Sequence, residues 1–316
     1  MRLFVTLALS LLLSACTSPE REWQTTSNGA YTSSLSPDGQ YALIGSMEHG
    51  GSLWRLQDGE RLYNWNHVGG EYSTLVASAF STDSKFALTA EKKRFVLWEV
   101  ASGKARGFWP ANGGILAMAL SDKGQYAIIG QENYTALYID TTTGSVISTL
   151  THSGDINAVA ISADGKTGVT GSEDGIMKVW DLSQAKVTFA YQLGDDVSAV
   201  AISNDGSLVF ASLYYGKGKI WLTQSGKEVS EIGHHRTTIT RAAFSTDNTT
   251  LLTGFTARRL MLWDVDSGND LQSWRADAPL FWRPSGLVVT DVAYGHQSRT
   301  FLNVFSNGLV NQWKAQ

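Results

Sequence analysis

The chain repeats a strand-ending aromatic residue seven times along its 316 residues. Successive copies lie 40 to 44 residues apart, except that the last gap is 50. The seven positions are Trp54, Trp98, Tyr138, Trp180, Trp221, Trp263 and Trp313. A turn of the Ser-x-Asp type keeps the same spacing at Ser36, Ser81, Ser121, Ser162, Ser203 and Ser245. Such a period constrains the fold, because each unit can bury its apolar face only against its neighbours.

Each unit has the pattern of four short strands joined by tight turns. In the fourth unit, residues 157–161 alternate as a strand and Ala163-Asp164-Gly165 forms a turn. Residues 167–171, 177–182 and 187–191 follow as further strands. Four strands at a period near forty predict an all-β fold, a seven-bladed β-propeller of four-stranded antiparallel blades. We expect it to span residues 22–316 as one domain.

A small residue recurs at one place in the first strand of every unit. The positions are Ser34, Ala79, Ala119, Ala160, Ala201, Ala243 and Ala293. Strands converge near a propeller axis, so small side chains there indicate the innermost strand. The last unit ends after its third strand, and Arg21-Glu22-Trp23-Gln24 resembles the fourth strands of other units. We therefore predict that this N-terminal strand closes the ring.

The first fifteen residues have one positive charge followed by an apolar run, which is typical of a secretory signal peptide. Leu13-Ser14-Ala15-Cys16 resembles a bacterial lipobox, which implies that Cys16, the only cysteine, is lipidated. Residues 16–21 then form a short tether. Thr17, where Asp would favour inner-membrane retention, implies the outer membrane of a Gram-negative bacterium. The alternative is an ordinary signal peptide cleaved nearby, with Cys16 left as a free thiol.

The segment GSEDGIMKVWDL, residues 171–182, resembles the WD-repeat propeller family. The resemblance implies a structural hydrogen-bonded tetrad of His152, Ser172, Asp174 and Trp180. A hydrolase triad is the competing interpretation of these residue types. Other units lack members of the tetrad: unit two has Lys92 at the Asp position, and unit six has Ala257.

The composition points to no catalytic or cofactor chemistry. The histidines have no zinc-ligand spacing, and there is no Gly-rich phosphate loop. We expect no catalytic residue, no metal and no cofactor. The net charge of −4 gives no electrostatic reason to expect nucleic acid as a partner. We expect a monomer.

One face of the disc is the expected partner-binding surface. It is predicted to carry basic and aromatic side chains, whereas the opposite face receives Asp-rich turns. The residues assigned to partner binding are Tyr214, Tyr215, Arg258, Arg259, Phe281 and Trp282. Aromatic and Arg side chains are enriched at interface hot spots. The alternative for Phe281 and Trp282 is that they fold back and fill the gap between two blades.

These features favour a non-catalytic scaffold, anchored by lipid in the periplasm, that binds another envelope protein. A role in outer-membrane protein assembly is a narrower form of this hypothesis. The rival class is a propeller enzyme, either a quinone-dependent dehydrogenase or a hydrolase, with its active site in the axial funnel. A sugar-binding or peptidoglycan-binding module is a third possibility, because the chain has eleven Trp residues that could stack on sugars.

Overall fold

Seven four-stranded antiparallel sheets form the chain, which confirms the predicted seven-bladed propeller. The structure is a computed structural model, and it describes residues 18–233, 237–276 and 287–315. Within each blade the strands hydrogen-bond in chain order, from the innermost to the outermost. The seventh blade alone takes its outermost strand from the other end of the chain.

The strands of the first half follow in chain order. The ring-closing strand is β1 (Arg21–Gln24). Blade 1 contains β2 (Ala30–Leu35), β3 (Tyr41–Ser46), β4 (Gly50–Arg55) and β5 (Glu60–Asn64). Blade 2 contains β6 (Ala77–Phe80), β7 (Phe86–Glu91), β8 (Arg94–Glu99) and β9 (Ala105–Pro110). Blade 3 contains β10 (Ile115–Leu120), β11 (Tyr126–Gln131), β12 (Thr135–Asp140) and β13 (Ser145–Thr151).

The second half repeats this arrangement. Blade 4 contains β14 (Ile156–Ile161), β15 (Thr167–Ser172), β16 (Ile176–Asp181) and β17 (Lys186–Gln192). Blade 5 contains β18 (Val197–Ile202), β19 (Leu208–Leu213), β20 (Gly218–Leu222) and β21 (Glu228–Ile232). Blade 6 contains β22 (Ile239–Phe244), β23 (Thr250–Phe255), β24 (Arg259–Asp264) and β25 (Asp270–Arg275). Blade 7 contains β26 (Val289–Tyr294), β27 (Thr300–Phe305) and β28 (Leu309–Lys314), with β1 outermost. Two single-turn 3-10 segments lie at Asp122–Gly124 and Thr256–Arg258.

The antiparallel order divides the connections between two faces. Turns between the second and third strands lie on the same face as the loops that lead to the next blade, and we call this the top face. Turns between the first and second strands, and between the third and fourth, lie on the opposite face, which we call the bottom face. This division decides which loop residues can reach a common partner.

The core lies between neighbouring blades rather than inside any single one. Each apolar cluster joins residues of two neighbouring blades, as Trp98 of blade 2 does with Trp65 of the preceding loop, at 5.4 Å between ring centroids. The repeat-closing aromatic residues are buried in this core, except for Trp54, which is half-buried. Because each blade is stabilised by the next, the ring has to close.

The N-terminal strand closes the ring as predicted. Strand β1 pairs antiparallel with β28, with Trp23 opposite Val310. Its indole packs on Gly59 of blade 1, where φ is +75° and an added Cβ would lie 2.8 Å from Trp23 Cδ1. The Arg21 guanidinium donates to the carbonyl of Gln57 at 2.7 Å. Arg21, which the sequence analysis placed at the end of the tether and also in the closing strand, is the first residue of β1.

A hydroxyl-capped turn joins the first two strands on the bottom face. Ser36 Oγ donates to Asp38 Oδ1 at 2.6 Å and accepts the N–H of Tyr41 at 2.8 Å. The same bonds recur at Ser81, Ser162, Ser203 and Ser245. In blade 3 the acidic residue is Asp122, directly after the serine, and in blade 7 the turn of residues 295–299 has no acidic residue.

Candidate functional site

The fourth blade holds a chain of four polar side chains between the top face and the core. His152 Nδ1 lies 2.9 Å from Asp174 Oδ2, and His152 Nε2 lies 2.7 Å from Thr170 Oγ1. The indole N–H of Trp180 donates to the same Thr170 oxygen at 2.8 Å. Asp174 also accepts the backbone N–H groups of Ser153 and Ile176. The carboxylate thus joins the loop before the blade to the turn between β15 and β16.

The pKa shifts of His152 and Asp174 indicate which atom donates the proton in each hydrogen bond of this network. Burial lowers the pKa of His152 below its ordinary value, against the opposing effect of Asp174. Burial raises the pKa of Asp174, but the hydrogen bonds from Ser153 and His152 outweigh it and the pKa lies below its usual range. At neutral pH a neutral imidazole therefore donates from Nδ1 to Asp174 and accepts the Thr170 proton, while Thr170 accepts from Trp180.

Thr170, not Ser172, links the imidazole to the indole, so the expected member Ser172 was wrong. Both side chains lie on the same side of β15, because alternate residues of a strand share a face. Ser172 Oγ instead accepts the backbone N–H of Asp174 at 3.1 Å and caps the turn. The repeat contains a signal for this assignment, because Trp98 and Trp263 donate to Thr89 and Thr253, which occupy the position of Thr170 in their blades.

Blade 2 keeps a similar network that the sequence comparison missed. His67 Nε2 lies 2.8 Å from Thr89 Oγ1, which also accepts the indole N–H of Trp98 at 2.7 Å. The carboxylate comes from Glu91, whose Oε1 lies 3.7 Å from His67 Nδ1. Glu91 stands on β7 rather than in the turn, and at this distance its carboxylate lies near the imidazole without accepting a hydrogen bond from it. Burial lowers the pKa of His67 to about 4, against the opposing effect of Glu91.

All five exposed tyrosines lie at the top face. Tyr72 belongs to the loop between blades 1 and 2, Tyr134 to a turn of blade 3, and Tyr214 and Tyr215 to a turn of blade 5. Tyr31 is the second residue of β2, beside the same face. Tyr72 and Tyr215 are the most exposed, at 73% and 74%. The bottom-face turns of the described chain carry no exposed tyrosine.

The assigned partner-binding residues have different positions. Tyr214 and Tyr215 are exposed as expected, and the Tyr215 N–H donates to Thr238 Oγ1 at 3.2 Å. Arg259 is half-buried at the start of β24. Arg258 is only 8% exposed, so its assignment to an exposed surface was wrong. Arg258 lies in the tight turn of blade 6 with a backbone φ of +63°, and its side chain is buried there. Phe281 and Trp282 lie outside the described residues.

The top face is mixed in charge rather than basic. Exposed acidic side chains stand in its loops and turns at Glu71, Glu132, Glu173 and Asp195. Lys92 Nζ lies 3.1 Å from Glu132 Oε1, and Lys217 pairs with Glu231 at 2.6 Å. The expected basic surface was wrong because carboxylates in a blade turn and on a fourth strand, Glu132 and Glu231, lie beside the lysines. Neutral aromatic side chains are therefore the feature by which this face differs from the other.

The innermost strands line a central channel of about 330 Å³. Small or apolar side chains provide most of its wall, and the only charged residues lining it in the described chain are Arg241 and Asp291. They occupy equivalent positions on β22 and β26. Asp291 Oδ2 accepts the N–H of Leu35 at 2.7 Å. Burial in the channel raises the pKa of Asp291 to about 6, while Arg241 opposes the rise.

Among residues 18–233, 237–276 and 287–315, no group of three His, Cys, Asp or Glu side chains could hold a metal ion. No helix in these ranges is long and apolar enough to cross a membrane.

Comparison with known proteins finds a repeat family in two parts of the chain. Residues 144–181 and 226–264 match the family model of the WD domain, G-beta repeat. Each match starts with the outermost strand of one blade and ends with the third strand of the next, from β13 to β16 and from β21 to β24. The sequence repeat therefore begins one strand before the structural blade. Ring closure by β1 requires the same offset, because β1 precedes the first blade in the chain and is the outermost strand of the last. No curated protein matched the chain.

Proposed function

We propose that the protein is a lipid-anchored, non-catalytic scaffold of the bacterial envelope that binds another protein through its top face. WD40 repeats in a seven-bladed ring are typical of protein-interaction scaffolds. The proposed signal peptide covers residues 1–15, the lipidated tether 16–21 and the propeller the rest. The proposed location is the periplasmic face of the outer membrane, with the lipid on Cys16.

The exposed tyrosines of the top face are the observation that carries the protein-binding part of the proposal. Tyr side chains combine a large apolar ring with a polar hydroxyl and are enriched at interface hot spots. They are spread over blades 1, 3 and 5 and the loop between blades 1 and 2, so a partner covering this part of the face could contact several of them at once. The mixed charges beside them fit a polar rim around aromatic anchors.

Replacement of the tyrosines tests this surface. Tyr72, Tyr134, Tyr214 and Tyr215 are changed together to Asn, which tolerates the positive φ found at Tyr134 and Tyr215. A matched control replaces three exposed rim residues, Phe108→Asn, Val146→Asn and Ile147→Asn. Crosslinking in intact cells should lose the captured partner in the tyrosine variant and keep it in the control.

The result is interpretable only when both variants keep the unfolding midpoint of the native protein. Unchanged capture by the tyrosine variant, or equal loss in both variants, contradicts the proposal. The anchor is tested separately: metabolic labelling with palmitate should mark the native chain and not Cys16→Ser. An unlabelled native chain rejects the lipid anchor and leaves the partner surface to be judged by capture alone.

The channel pair of Arg241 and Asp291 is the observation that favours the alternative, a propeller enzyme with an axial site. A carboxyl group whose pKa is raised to about 6 is suited to proton transfer. The variant Asp291→Asn separates the two functions. An axial enzyme should lose turnover of its substrate with capture of the partner intact, whereas the scaffold should keep its cellular role.

A further inference from the structure

One ring of equivalent positions in the central channel contains both of its charged residues. Blades 2 to 5 have alanine at this position of the innermost strand and blade 1 has threonine, whereas blades 6 and 7 have Arg241 and Asp291. The four alanines show that the strand position itself requires no charge. The members of the ring, in blade order, are Thr32, Ala77, Ala117, Ala158, Ala199, Arg241 and Asp291.

The two charges do not neutralise each other by direct contact. Asp291 of blade 7 accepts the N–H of Leu35 in blade 1 at 2.7 Å, whereas Arg241 belongs to blade 6, on the other side of blade 7. Within the described chain, the Arg241 side chain makes one hydrogen bond, from Nη1 to the carbonyl of Thr240 at 2.7 Å. Both charged residues are described, and they form no ion pair with each other. A guanidinium with unused N–H groups and a carboxylate therefore both line the channel.

The space beside this pair is small and mostly apolar. The channel encloses about 330 Å³, at the lower end of the range for small-molecule sites. Across the ring from blades 6 and 7, the wall includes the methyl groups of Ala77, Ala117 and Ala158. The wall extends to Pro37 and Thr82 in turns of the bottom face, where a ligand can enter. The volume fits a molecule of the size of one amino acid rather than a folded segment.

A ligand in this channel has to pair with both charges. Burial raises the pKa of Asp291 to about 6, so the carboxylate is still mostly ionised at neutral pH. A bound ligand displaces water from both side chains, and a charge that loses water without gaining a partner opposes binding. An anion would pair with Arg241 and leave Asp291 unpaired, and a cation would do the reverse. A dipolar ligand that carries both groups pairs with each side chain.

We propose that the central channel binds a zwitterionic α-amino acid with an aliphatic side chain. The ligand carboxylate lies at Arg241, whose planar guanidinium matches carboxylate geometry, and the ligand ammonium lies at Asp291. The aliphatic side chain lies against the alanines of blades 2 to 4. This inference goes beyond the proposed scaffold and does not rest on it, because the channel site and the tyrosine surface are formed by different residues. It also explains why a buried carboxylate that weakens the fold is present where other blades have alanine.

Equilibrium dialysis of the full chain, purified in detergent, tests the site. The probes are radiolabelled L-alanine, L-valine and L-leucine, and at least one should bind saturably with one site per chain. For leucine, 4-methylpentanoate lacks the ammonium and 3-methylbutylamine lacks the carboxylate. Each should compete at least about tenfold more weakly than unlabelled L-leucine, because each loses one charge-assisted pair. Absence of saturable binding by all three amino acids, or equal competition by either analogue, overturns the inference.

Two variants with matched controls connect the binding to the charged pair. Asp291→Asn keeps a carbonyl oxygen for the Leu35 N–H, and Arg241→Ala places in blade 6 the side chain that four other blades have, so both should fold. Each should weaken binding at least about tenfold, whereas Asp270→Asn and Arg106→Ala on the outermost strands should leave it unchanged. Asp291→Asn should bind more weakly although it is at least as stable as the native chain, a combination that a purely structural role does not produce. Native affinity in either channel variant overturns the inference.

Discussion

Removal of the Thr170 hydroxyl should destabilise the protein more than removal of the Ser172 hydroxyl. Both side chains are fully buried on β15. Thr170→Val keeps the shape of the side chain but leaves the Trp180 N–H and His152 Nε2 without their partner. A buried polar group that loses its hydrogen bond costs about 1–3 kcal/mol, so two such groups predict a loss of about 2–6 kcal/mol. Ser172→Ala removes one bond to the Asp174 N–H, with an expected cost of about 1 kcal/mol.

Urea unfolding followed by tryptophan fluorescence measures the difference. Midpoints are compared rather than extrapolated free energies, because a ring of seven repeats can depart from two-state unfolding. The double variant Thr170→Val with Trp180→Phe adds an internal check. Phe has no indole N–H to leave unpaired, so Thr170→Val should cost less in that background than in the native chain, by about 1 kcal/mol. A midpoint shift for Ser172→Ala equal to or larger than that for Thr170→Val would refute the assignment of Thr170.

Three further predictions concern acid stability and ring closure. The pKa of His67 is about 4 in the folded chain, so as pH falls from about 6.5 the unfolded chain binds the His67 proton before the folded chain does. The native protein should therefore lose about 3 kcal/mol of unfolding free energy between pH 7 and pH 4. His67→Gln should not show this loss, and urea midpoints of both proteins at the two pH values measure the difference. The ionised Asp291 carboxylate destabilises the folded chain at neutral pH, because its folded pKa of about 6 lies above its ordinary value. Asp291→Asn should therefore raise the urea midpoint at pH 7 and change it little at pH 4. Gly59→Ala should lower the melting temperature more than Gly194→Ala does. Both glycines have a positive φ, but only Gly59 packs on Trp23. Equal shifts in the two variants would contradict the role of this contact in ring closure.

The fold could be predicted from the sequence because its determinants are periodic. Aromatic residues at a spacing near forty, and a small residue such as Ala160 in every first strand, are local signals repeated seven times. Ring closure was also predictable, because the last unit lacks a fourth strand and residues 21–24 supply one. Each of these inferences depends on the comparison of equivalent positions, which a single repeat would not have allowed.

The candidate site was less predictable, because it depends on how far each side chain extends and on whether that side chain is buried. Residue spacing in the sequence gives neither property. Thr170 and Ser172 share one side of a strand, and within the single repeat that was compared the spacing does not distinguish them; the threonines at the same position in blades 2 and 6 were the signal that was missed. Glu91 stands at the strand position of Ser172 and brings a carboxylate to 3.7 Å from His67 Nδ1, although the turn of blade 2 has no Asp. Arg258 has the residue type of a surface contact, but a tight turn directs it inward.

The proposed partner surface and the proposed anchor lie on opposite sides of the disc because of a single feature of the topology. The seventh blade takes its outermost strand from the N-terminus, and an outermost strand runs from the bottom face to the top face. In a chain that enters the ring in this direction the proposed anchor precedes a strand that starts at the bottom, while every loop between blades lies at the top. Four of the exposed tyrosines belong to those loops and to the turns beside them, and Tyr31 lies at the start of β2 beside the same face. Closure of the ring by the N-terminal strand therefore both completes the core and turns the aromatic face away from the proposed anchor. A partner at the top face would meet the scaffold from the side opposite to the membrane.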